Sequence, residues 1–177
     1  MNESLPTPNP KLALSGKGGV PWRLAFVHSL RTGIAAMVSV LAARAFRLPE
    51  SYWAAVTTLV IAQSSLGAAL DVSWGRFAGT ALGAAVGGAV ATYFGPSAFV
   101  LGVSITVLGL LCVVARLDRN AYRFGGVALA IVLLIPRTLP AWEIAFHRFA
   151  EVSIGIATAL VLATLWPEME DTPAVKG

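Results

Sequence analysis

Apolar residues in this chain come in long blocks, not in the single stripe of a water-facing helix. Six blocks can be read: about Leu24–Ala43, Tyr52–Leu70, Arg76–Tyr93, Phe99–Ala115, Tyr122–Ile135 and Trp142–Leu165. A bilayer's hydrocarbon core is about 30 Å thick and takes about 20 helical residues to cross. The blocks approach that length, so the pattern predicts an all-α membrane protein with six transmembrane helices. The breaks hold Pro49, Gly95-Pro96, Asp118-Arg119-Asn120 and the stretch from Pro136 to Pro140, which is turn chemistry. The fifth block is short before Pro136. It must tilt, bend or lie partly in the interface.

A second pattern runs inside the third block. Gly75, Gly79, Gly83 and Gly87 recur every fourth residue, and Ala91 and Gly95 keep the step. In a water-soluble helix each interior glycine costs about 1 kcal/mol relative to alanine. In lipid, helices associate by close backbone packing, and small residues four apart permit it. The ladder predicts a packed helix interface, either within one chain or between two chains.

Composition agrees with the blocks. The chain is 56% hydrophobic and 12% charged, against about 25% charge in ordinary soluble domains. The net charge of +4 is small and scattered, so no nucleic-acid partner is expected. The lone Cys112 allows no disulfide framework and no CxxC pair. Residues 1–21 are polar and rich in Pro, Gly and Ser, without the apolar stretch of a signal peptide. They read as a flexible cytoplasmic tail, residues 22–167 as the membrane module and residues 168–177 as a short C-terminal tail. With the N-terminus inside, the inner side holds Lys11, Lys17, Arg23, Arg76, Arg116, Arg119, Arg123 and Lys176, and the outer side Arg44, Arg47, Arg137 and Arg148. The positive-inside rule then puts both termini in the cytoplasm. Tyr52, Trp53, Trp74, Tyr93, Trp142 and Trp166 fall near block ends, where interfacial aromatics sit.

The chain also resembles itself. A shift of 72 residues brings Arg76-Phe77-Ala78 onto Arg148-Phe149-Ala150, Gly83 onto Gly155 and Ala91-Thr92 onto Ala163-Thr164. Two three-helix units in tandem, about 24–95 and 96–167, would lie in opposite orientations. Such a 3+3 inverted repeat is a recurring transporter architecture, with the site near the midplane at the repeat interface. Under this shift the ladder's counterparts are His147, Glu151, Gly155, Ala159 and Ala163. Glu151 would then lie on a packed face, as a buried acid.

Charged side chains in lipid cost about 2.5–3.5 kcal/mol at a span centre, and usually face a bundle interior or water. Arg31 lies inside the first block, Arg76 opens the third, and His147, Arg148 and Glu151 cluster early in the sixth. Two readings stand for the arginines: a cationic lining that pairs bidentately with carboxylates, or snorkelling to headgroups. Two stand likewise for His147 and Glu151: proton coupling, or a structural ion pair of Glu151 with His147 or Arg148 at helical spacing. Gln63 offers a donor and an acceptor to substrate or to a neighbouring helix. Thr57, Thr58 and Thr80 are expected to bond their own helix backbone. HExxH, GxSxG and clustered metal ligands are absent from the sequence, so neither enzymatic chemistry, a metal site nor a cofactor is expected.

The stretch Tyr52-Trp53-Ala54-Ala55-Val56-Thr57-Thr58 through Gln63-Ser64, with Arg76-x-x-Gly79-Thr80-x-x-Gly83 after it, resembles the fusaric acid resistance and aromatic acid exporter family. Arg148-Phe149-x-Glu151-x-x-Ile154-Gly155 resembles that family's end-of-module pattern. The plant aluminium-activated malate transporters look like distant relatives. The resemblance covers about residues 24–167 and implies a bacterial inner-membrane exporter of aromatic or other organic acids, driven by the proton gradient. Longer members carry two membrane modules and a soluble region, which implies a homodimer here. The expectation is an organic-anion transporter subunit, with substrate at Arg31, Gln63, Arg76 or Arg148 and proton exchange at His147 or Glu151. A passive organic-anion channel and a non-transporting membrane assembly subunit are the alternatives.

Overall fold

In the computed structural model the described residues are 22–62, 66–136 and 139–165. They form six helices, and no strand occurs among them: α1 (Trp22–Ala45), α2 (Tyr52–Ala62), α3 (Leu66–Tyr93), α4 (Ala98–Val114), α5 (Arg119–Leu134) and α6 (Ala141–Leu165). The chain divides into two units, one ending at Arg31 within α1 and the other beginning at Thr32. In the first, Trp22, Phe26, Val27 and Leu30 are exposed. The second holds the rest of the chain.

Local chemistry explains the helix ends. Ser97 caps α4 by accepting from the Phe99 N–H, and Asp118 caps α5 by accepting from the Ala121 N–H at 2.9 Å. Ile135 turns extended at the end of α5, as a residue before proline must. Arg47 and Arg116 take left-handed backbone angles just past α1 and α4. There Leu48 N–H donates to the Ala43 carbonyl and Leu117 N–H to the Cys112 carbonyl, so the two helices end in the same six-to-one closure.

The sequence expectation places one boundary wrongly. It runs the second block to Leu70 and opens the third at Arg76, whereas α2 stops at Ala62 and α3 already begins at Leu66. Asp71, Ser73 and Trp74 are ordinary helical residues of α3, with Asp71 and Trp74 exposed and Ser73 buried. A few polar residues on a helix face do not stop its backbone hydrogen bonding. As a result α3 rises about 42 Å and α2 only about 16 Å, at 1.5 Å per residue. The segments Ala25–Ala45 and Ala141–Leu165 are long and apolar enough to cross a membrane; Tyr52–Ala62 and Ala98–Val114 are apolar but shorter.

The glycine ladder packs within the chain. Its four glycines are buried, and a Cβ on Gly79 or Gly83 would land on the backbone carbonyl of Ala121 or Gly125 in α5. A Cβ on Gly87 would come within 3.1 Å of the Leu129 Cα, and one on Gly75 within 3.1 Å of the Asp118 carboxylate. α3 and α5 therefore meet backbone to backbone. The ladder's α6 counterpart does the same with α2: a Cβ on Gly155 would lie 2.5 Å from the Ala54 carbonyl.

Beside an apolar core, several charged and polar side chains are buried while many large apolar ones are exposed. Arg76, Arg148, Glu151, Thr57, Thr58 and Thr80 are buried, while Phe99, Val114 and Leu165 are more than three-quarters exposed. Tyr52, Trp74, Tyr93 and Trp142 are also exposed, as aromatics at a lipid boundary would be.

Candidate functional site: an arginine between two carboxylates

The site is built where α6 faces the start of α2. Arg148 is 3% exposed and Glu151 1%. One helical turn apart, their Nη1 and Oε2 atoms are 3.3 Å from each other. The other guanidinium nitrogen, Nη2, donates to Glu50 Oε2 at 2.5 Å. Glu50 lies in the turn between α1 and α2, and its backbone N–H donates to Glu151 Oε1 at 3.0 Å. One cation thus holds two carboxylates, and one of these carboxylates pins the backbone that carries the other. The guanidinium also lies over the Trp53 indole, 4.3 Å from the ring centroid. That contact is worth about 2 kcal/mol when desolvated.

The cluster is not saturated. Arg148 Nε and Nη1, Glu151 Oε2, His147 Nδ1 and Trp53 Nε1 are buried without a hydrogen-bond partner. The Nη1 and Oε2 atoms are near in charge terms but out of line for a bond. Beside them lies a cavity of about 110 Å³, lined by Pro49, Glu50, Pro136, His147, Arg148 and Glu151 among others. Buried polar atoms left unpaired cost free energy, and those of His147, Arg148 and Glu151 belong to residues that line the cavity.

A second arginine sits behind the first. Arg76 Nε donates to Thr57 Oγ1 at 3.2 Å, and its guanidinium stacks over Phe124 at 4.7 Å. Arg76 and Arg148 both line a small void of about 20 Å³ together with Trp53 and Phe124, room for about one water. Thr58 donates to Ala54 in its own helix and to the Gly155 carbonyl across the α2–α6 seam.

Of the residues singled out in the sequence, Arg76, His147, Arg148 and Glu151 come together here. Glu151 pairs with Arg148. His147 lines the cavity, and its ring is tilted against that of Phe146, with centroids 6.4 Å apart. Neither Arg76 nor Arg148 snorkels; both are buried. Gln63 lies outside the described residues, as do the two tails. Arg31 is buried and belongs to the first unit, so the site is built without it. Thr57 accepts from Arg76, and Trp53, the second residue of α2, also lies under the Arg148 guanidinium. Glu50 is the residue that sequence reasoning missed. Its signal was a single acid beside Pro49 in a turn, and its partners lie about a hundred residues away. Among the described residues no group of three or more His, Cys, Asp or Glu side chains could hold a metal ion.

Several proteins resemble this chain. The uncharacterized transporter YdhK of Salmonella typhimurium is 27% identical over 93% of this chain and 26% of its own length. That of Escherichia coli K12 is 28% identical over 87% of this chain and 24% of its own. The inner membrane protein YeeA of Escherichia coli K12 is 29% identical over 80% of this chain and 41% of its own. The chain thus spans about a quarter of the YdhK proteins it matches. No solved structure matches it. The fusaric acid resistance protein-like family matches residues 34–162, a span that includes the paired carboxylates, both stacked arginines and the glycine ladder, and the chain belongs to that family.

Proposed function

We propose that this chain is the membrane module of an organic-acid exporter, with Arg148 as the partner of the substrate carboxylate. The observation that carries the reading is a buried guanidinium, stacked on an indole and flanked by unpaired polar atoms, at a cavity of about 110 Å³. The cavity is smaller than the engineered one of about 150 Å³ that holds benzene, so it suits a carboxylate group, with the rest of the substrate at the cavity's mouth. Family membership and relatives named as transporters support the membrane role. So do the exposed apolar flanks around a buried charged interior.

The proposal extends to six spans over residues 22–167, to cytoplasmic termini in a bacterial inner membrane, and to a 3+3 inverted repeat. Reciprocal packing supports the repeat. Gly83 of α3 meets Gly125 of α5, and Gly83's counterpart Gly155 of α6 meets Ala54 of α2, one residue from the position the 72-residue shift would name. Each pair joins the last helix of one half to the middle helix of the other. His147 and Glu151 are the proposed proton-exchanging groups, and Arg31, Gln63 and Arg76 further contacts along the substrate's path. The working unit is proposed to be a homodimer. Its interface is not the ladder, which α5 already covers.

Purified protein in liposomes tests the reading. With an imposed pH gradient it should accumulate radiolabelled benzoate, and Arg148→Ala should lose that accumulation while remaining folded. Benzoate flux that never runs uphill would replace the exporter with a channel. No flux, with a second polypeptide retained on purification, would replace it with an assembly subunit.

A further inference from the structure

We infer that Glu50 is an internal competitor of the substrate: its carboxylate occupies the place on Arg148 that a substrate carboxylate takes, and it must leave before substrate binds. The inference rests on the reading of Arg148 as the substrate's partner.

Charge and position argue it. Arg148 carries one positive charge against the two carboxylates of Glu50 and Glu151. An incoming carboxylate would find Nη2 already taken by Glu50 and would lie beside that like charge, and like charges at this range oppose binding. One carboxylate has to yield. Glu151 is poorly suited to do so. It is 1% exposed, fixed one turn along the same helix, and engaged through Oε1 with the Glu50 N–H. Glu50 is suited. Its side chain is 34% exposed, it sits in a turn and not on a helix, and it lines the cavity. Its Oε2 takes the Nη2 nitrogen, while Nε and Nη1 stay without a hydrogen bond. A substrate carboxylate that displaced Glu50 could form the bidentate pair that a guanidinium favours. The structure is thus the self-occupied state of the site. The backbone bond from Glu50 N–H to Glu151 keeps the turn in place while the side chain swings out.

The consequence is a measurable tax on affinity. When a site is free in only a fraction of molecules, apparent affinity falls by that fraction. Benzoate binding to the full chain in detergent micelles, measured by titration calorimetry, tests this with Glu50→Gln. The neutral variant keeps size and shape but releases Arg148. Its apparent dissociation constant for benzoate should fall about tenfold, and benzamide should bind neither protein. An unchanged or weaker benzoate affinity in Glu50→Gln, with wild-type binding still lost in Arg148→Ala, would overturn the competitor role and leave the Arg148 reading standing. No benzoate binding by wild type or Glu50→Gln would remove both. If Glu50→Gln does not fold, Glu50→Asp keeps the charge but shortens its reach. It should tighten benzoate binding about threefold, and unchanged affinity there would equally overturn the inference.

Discussion

The Arg148 guanidinium lies over the Trp53 indole, with its carbon 4.3 Å from the ring centroid. The contact joins α6 to the first turn of α2, and it orients the fork that Glu50 and Glu151 share. Trp53→Leu should lower the unfolding free energy in micelles by about 1–2 kcal/mol. Trp53→Phe should recover part of the loss. Equal losses in both variants would show that the ring's face contributes nothing specific.

The ladder separates glycines that are needed from glycines that are not. At Gly83 a Cβ would collide with the Gly125 backbone, whereas at Gly102 in α4 nothing lies within 4 Å. Gly83→Ala should destabilise by about 1–3 kcal/mol or more, the cost of overpacking. Gly102→Ala should stabilise by about 0.5–1 kcal/mol through helix propensity. Melting temperatures in micelles check both, and a Gly83→Ala protein as stable as wild type would contradict the close α3–α5 approach.

Much of this arrangement was legible beforehand, and the parts that were not share one cause. The apolar blocks and the breaks near Pro49, Gly95, Asp118 and Pro136 follow local rules. The spacing of the ladder announced a close interface. Its partner, α5, could not be read, because spacing describes one surface and says nothing about what covers it. Glu50 escaped notice for the same reason, since its meaning comes from Arg148 and Glu151, far along the chain. The break between α2 and α3 falls earlier than the apolar blocks suggest, because a helix tolerates polar residues such as Asp71 and Ser73 and α3 runs on through them.

Arg148 also holds the site against its own charges. Arg148→Met leaves Glu50 and Glu151 facing each other beside the cavity, so it should cost about 3–5 kcal/mol, as removal of one partner from a buried ion pair does. Adding Glu151→Gln should restore a substantial share. Additive losses in the double variant, measured by chemical unfolding, would show that the two residues are not coupled.

Arg76 depends on a hydroxyl from another helix. Thr57 Oγ1 accepts its Nε proton at 3.2 Å, and Thr57→Val replaces that oxygen with a methyl of the same size. A hydrogen bond to a charged group contributes about 1.5–3 kcal/mol, and a loss in that range is expected. Thr57→Ser keeps the acceptor and should stay near wild type. A Thr57→Val protein as stable as wild type would show that this hydrogen bond contributes nothing.

At Gly79 and Gly83 the backbone of α3 lies directly against that of α5, no side chain on α3 separates them there, and the two helices form one stiff plank. α2 and α6 are clasped in the same manner at Ala54 and Gly155. Between the planks the joint is padded instead by Phe77 on Phe149, at 5.0 Å between ring centroids, and by the two arginines and the small void they line. Aromatic rings can slide and guanidinium groups can re-pair, whereas interlocked backbones cannot. A relative movement of the two planks would therefore have its bearing surface at the α3–α6 joint, where Arg76 and Arg148 share their void.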